Sequence, residues 1–118
     1  MKERTIENLL SIKGRTYVYL PNKHVAELFL RNAEVEGFTF GDGVKPTERD
    51  TDDIFRIFPN RTICYVGFVG HLAFRNIGYR VEEPLTWVDY QKYISKESNY
   101  IVKTVKPKLF RRIVMHKI

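Results

Sequence analysis

The sequence predicts a single α+β domain with a mixed sheet, and three features carry that prediction. Runs of β-branched and aromatic residues recur along the chain. One capped stretch of helical period separates the first two of them. Glycine and proline mark the boundaries. A chain of 118 residues fits one domain, and a composition 43% hydrophobic and 14% aromatic supplies its core.

The elements follow in order. Thr5 caps a short helix through Ile6, Leu9 and Leu10, with Glu3 and Glu7 near its positive end and Gly14 as its stop. Residues 15–20 read as a strand, broken by Pro21. Asn22 then caps a longer helix. Val25, Leu28, Phe29, Asn32, Ala33 and Glu36 fall on adjacent turns, Leu30 and Val35 widen the apolar face, and Gly37 ends it. Phe38 to Phe40 returns as a strand, so residues 15–40 form a β-α-β unit.

Gly41 to Thr47 is a turn-rich loop, and Glu48 to Asp53 is polar and acidic. Residues 54–58 and 62–66 are strands joined by Pro59-Asn60-Arg61, an antiparallel hairpin that follows the β-α-β unit. Gly67 to Phe74 reads as a turn and a short helix. A further strand runs from Leu85 to Val88, and Asp89 caps a short C-terminal helix through Tyr90, Tyr93 and Ile94. Residues 1–100 therefore make the domain and residues 101–118 a basic C-terminal tail. Residues 101–106 alternate like a strand, so the tail either adds an edge strand or is ordered by a partner.

Charge position says more than the net +6. No acidic residue follows Glu97, whereas Lys103, Lys106, Lys108, Arg111, Arg112 and Lys117 do. The fourteen Asp and Glu are balanced by the other fourteen Lys and Arg, so the tail holds the whole excess. Those six residues together with Phe110 are the candidate site for nucleic acid or a protein partner. Cations neutralise phosphates or an acidic protein surface, and an aromatic stacks on a base.

Other constellations have plainer readings. One cysteine, Cys64, excludes an intrachain disulfide and thiolate-rich metal sites, and its apolar run makes it a packing residue. His24, His71 and His116 lack ligand spacing; a Cys64–His71 pair would need proximity in the fold. Gly41-Asp42-Gly43 precedes a loop rather than a helix, which fits a tight turn and not a phosphate cradle. Gly67-Phe68-Val69-Gly70 has GxxG spacing with apolar residues inside, which suits packing better than an RNA clamp. Glu48, Asp50, Asp52 and Asp53 lack the glycine and terminal glutamate of a calcium loop. The reading is of a non-enzymatic protein with no metal and no cofactor. The charged N-terminus has no apolar signal core, and no run approaches a membrane span, so a cytoplasmic protein that does not engage the membrane is expected. Oligomeric state is not legible.

Residues 4–95 resemble a group of small proteins carried on mobile genetic elements of Gram-positive gut bacteria. The resemblance lies in Glu36-Gly-Phe-Thr-Phe-Gly-Asp-Gly43, Lys45-Pro-Thr-Glu48, the strand Thr62-Ile-Cys-Tyr-Val-Gly67 and the segment Val88-Asp-Tyr-Gln-Lys-Tyr-Ile94. It stops before the basic tail and transfers no catalytic residues. Small proteins on such elements often counter host defence, including type II CRISPR nucleases. The resemblance thus implies a binding protein, with an anti-CRISPR inhibitor as the specific case. Many such inhibitors are acidic DNA mimics. A chain of this charge would instead contact the RNA-guided nuclease on an acidic face, or its guide RNA. An RNA- or DNA-binding accessory protein that uses the basic tail is the alternative.

Overall fold

The computed structural model describes residues 4–67 and 83–105. Their elements run α1 (Ile6–Leu9), β1 (Arg15–Tyr19), α2 (Lys23–Val35), β2 (Thr39–Phe40), a 3-10 turn (Pro46–Glu48), β3 (Ile54–Phe58), β4 (Thr62–Tyr65), β5 (Leu85–Asp89), α3 (Tyr90–Ile94) and β6 (Ile101–Val105). The strands form one mixed sheet in the order β2-β4-β3-β1-β5-β6. The expected α+β architecture is therefore present. The segment between Phe68 and Phe74, read as a turn and short helix, lies outside the described residues.

The caps form where the sequence places them. Thr5 Oγ1 accepts from Asn8 N–H at 3.2 Å, Asn22 Oδ1 from Val25 N–H at 2.9 Å, and Asp89 Oδ1 from Lys92 N–H at 3.2 Å. Gly37 ends the helical run at φ +86°, a left-handed conformation that glycine adopts without Cβ strain.

The β-α-β unit is split. β1 and β2 are joined through α2, but the hairpin β3–β4 is inserted between them. β1 pairs antiparallel with β3, β3 antiparallel with β4, and β4 parallel with β2. β5 pairs parallel with the other side of β1, and β6 antiparallel with β5. The hairpin turns through Arg61 at φ +65°.

The helices cover one face of the sheet. Phe29, Leu30 and Ala33 from α2, Ile6 and Leu9 from α1, and Tyr90 and Tyr93 from α3 pack there against Val18, Phe55, Ile57, Ile63 and Val88. Phe29 meets Tyr90 edge-on, with ring centroids 5.2 Å apart. Val35, read as part of the apolar face, is 86% exposed. It lies six residues beyond Phe29, which at 3.6 residues per turn is about 120° round the helix.

The opposite face carries a second cluster of Tyr17, Ile54, Leu85, Trp87 and Val105. The two-residue strand period puts them there, since the residues between them along each strand face the helices. Arg15 and Arg56 stand on this face too, both directed at Glu83, at 3.0 and 3.8 Å.

Candidate functional site: the β6 edge and the basic segment

The segment set apart as a tail begins inside the sheet. Ile101–Val105 is its sixth strand, and Val105 is buried at 7% exposure in the second cluster. Of the seven candidate site residues, Lys103 lies on this strand, in register with Trp87. Lys106, Lys108, Phe110, Arg111, Arg112 and Lys117 lie outside the described residues, as do His71 and His116.

Two residues, Asp89 and Arg4, fix the start of β6. Asp89 N–H donates to the Tyr100 carbonyl at 2.7 Å. The Arg4 guanidinium lies over the Tyr100 ring at 4.8 Å and the Tyr93 ring at 5.5 Å, while its Nη1 donates to the carbonyls of Tyr93 and Glu97. The N-terminal segment thus holds the chain in place just before the basic residues begin. The Tyr93 hydroxyl donates to the Thr5 carbonyl at 2.7 Å, and burial pushes its pKa up to about 12.

The register then breaks. Ile101 pairs with Val88 and Lys103 with Trp87, leaving Val102 as the extra residue of a bulge. Ile101 and Val102 are 45% and 50% exposed, an apolar pair beside the first lysine of the segment. Alternation in the sequence pointed to a strand here. Neither the bulge nor the Arg4 contact left a signal, because the bulge depends on the pairing with β5 and the Arg4 contact on residues far away in the chain.

The remaining sequence candidates are placed as follows. Gly43 N–H donates to the Phe40 carbonyl and Phe40 N–H to that of Val44, with Gly43 at φ +89°, so residues 40–44 form a tight turn. The Asp42 carboxylate pairs with Arg49, which holds it below the usual carboxylate range. The Asp50 carbonyl accepts from the Tyr65 hydroxyl, and Asp52 Oδ1 from Asp53 N–H. Among the described residues no group of His, Cys, Asp or Glu is arranged to hold a metal ion. Cys64 is half-buried on the second face opposite Arg56, and burial pushes its thiol pKa up, which lowers its thiolate fraction. His24 is exposed on α2.

A cleft of about 690 Å³ lies between α2 and residues 47–51. Lys23, Arg31 and Arg49 line it together with Glu27 and Asp50, so its walls carry both signs and select neither. No helix among the described residues is long and apolar enough to cross a membrane. In comparisons with known proteins, no family model, no curated protein and no solved structure matches the chain.

Proposed function

We propose that this chain is a non-enzymatic, cytoplasmic binding protein of a mobile genetic element whose C-terminal segment engages its partner. One observation carries the reading: every unit of excess charge follows Glu97, beginning on the strand that ends the sheet among the described residues. The sheet presents that strand, and Arg4 anchors its entry. The resemblance in residues 36–43 and 88–94 supports the mobile-element context. Its specific form is an inhibitor of a type II RNA-guided nuclease that contacts the nuclease or its guide RNA. Co-expression with a panel of such nucleases under phage or plasmid challenge tests this. Restored phage or plasmid survival with at least one nuclease is expected, and unchanged interference across the panel contradicts the inhibitor.

The alternative is an RNA- or DNA-binding accessory role for the same lysines and arginines. Clustered cations favour it, and its signature is affinity that falls steeply with salt. Tyr100 weighs against base stacking at the start of the segment. Its ring already lies under Arg4 and packs against Tyr93 at 5.1 Å. A protein partner is therefore the preferred reading.

A further inference from the structure

Among the described residues β6 ends the sheet, and two hydrogen bonds fix which of its backbone groups face outward. Along a strand, successive residues direct their N–H and C=O groups to alternate sides within the sheet. The Pro84 carbonyl accepts from Arg15 N–H at 2.8 Å, towards β1, and Asp89 N–H donates to the Tyr100 carbonyl at 2.7 Å, towards β6. The alternation between these two points turns Leu85 and Trp87 towards β6 and Thr86 towards β1. Thr104 stands opposite Thr86. Its N–H and C=O are therefore directed away from β5, and Thr104 is exposed.

Such an edge is a template for an added strand, because main-chain groups supply affinity without demanding a sequence. Its surroundings select the occupant. Ile101 and Val102 offer exposed apolar surface next to Lys103. The sequence from Ser98 onward has six Lys and Arg and no acid. A second copy brings the same positive charge to the edge, and like charges across paired strands repel. An acidic strand is attracted by the same charges.

We infer, on the strength of the binding role proposed for the C-terminal segment, that the outer edge of β6 at Lys103–Val105 receives an extended acidic segment of a partner protein as an added strand. The apolar side chains of that segment cover Ile101 and Val102, and its carboxylates complement the positive charge of the sequence after Glu97.

A peptide of alternating Glu and Val is the probe, titrated against the full chain, with single-stranded RNA as a parallel arm. Thr104→Pro removes the outward N–H while sparing the ladder to β5 through Lys103 and Val105. Thr104→Ala keeps the N–H. The peptide is expected to slow hydrogen exchange at the Thr104 amide of the unmodified chain. It should bind Thr104→Ala as it binds the parent, and bind Thr104→Pro about three- to tenfold more weakly, the effect of one lost hydrogen bond. The exchange measurement needs no variant, so a folding defect in Thr104→Pro does not obscure the result. Unchanged exchange at Thr104 under saturating peptide overturns the inference. So do absence of peptide binding, binding of RNA in its place, and self-association that protects Thr104. Equal affinity for Thr104→Pro, with binding lost when the six Lys and Arg are changed to Gln, overturns the added strand and leaves the binding role standing.

Discussion

The carboxylate of Glu36, at the end of α2, accepts hydrogen bonds from the backbone N–H groups of Ile6 and Glu7 at 2.9 and 2.8 Å. It satisfies two donors at the start of α1 that have no partner within the helix. The Glu36 carbonyl also accepts from Arg61, whose guanidinium pairs with Glu7 at 2.9 Å. Glu36 thereby ties α1, α2 and the β3–β4 turn together. Glu36→Ala should cost about 0.5–2 kcal/mol, the range for loss of a helix cap. Denaturant unfolding checks it, and a change within error would mean that water replaces the carboxylate.

Gly14 and Gly37 both adopt positive φ, at +82° and +86°, but only Gly14 is crowded. A Cβ on Gly14 would lie 2.2 Å from the Pro84 carbonyl oxygen, whereas one on Gly37 meets nothing within 4 Å. Gly37→Ala should therefore cost only the backbone term of about 1–2 kcal/mol. Gly14→Ala adds displacement of the strand entry, a further loss of about 1–3 kcal/mol. Thermal unfolding of the two variants side by side reads the difference.

Tyr93 gives stability a dependence on alkaline pH. Its folded pKa is raised from the ordinary 10 to about 12, through burial first and then the neighbouring Tyr100 hydroxyl. A raised folded pKa means that the neutral phenol is favoured by folding. That contribution is complete below pH 10 and is lost as the pH rises through 12. Unfolding free energy should fall across this window. Tyr93→Phe, which also loses the bond to Thr5, should show a shallower fall.

Removing β6 should weaken the domain. Truncation after Tyr100 strips the cross-strand partners of Leu85, Thr86, Trp87 and Val88 and takes Val105 from the second cluster. Buried apolar side chains contribute about 1.5–3 kcal/mol each, so a loss of at least about 2 kcal/mol is expected. Circular dichroism on heating checks this. The sequence set residues 101–118 apart as a tail; the pairing of β6 with β5 brings Ile101–Val105 of that segment into the sheet.

Much of the fold was legible because local signals and tertiary context agree. Asn22 and Gly37 bracket α2, and residues 54–58 and 62–65 pair as their composition suggests. The insertion of that hairpin between β1 and β2 was not legible, since strand order depends on contacts far apart in sequence. Val35 was misread because an apolar side chain near a helix end counts as core only if its angle matches. At the candidate site, the lysine-rich segment was visible from charge alone. Its foundation was not: the bulge at Val102 depends on how β6 meets Trp87 and Val88 of β5, and the contact of Arg4 with Tyr100 joins the two ends of the described chain. Cys64 was placed in an apolar run correctly, but the strand period puts it beside Arg56 on the second face, half-buried rather than in the main core.

The binding role of the C-terminal segment is tested most directly by a pull-down from cells that express a type II RNA-guided nuclease. The bait is the full chain, compared with a variant carrying Gln at Lys103, Lys106, Lys108, Arg111, Arg112 and Lys117, each with and without nuclease treatment of the lysate. The expected result is a defined protein partner that resists nuclease treatment and is lost with the variant. The same partners recovered with both baits would contradict it.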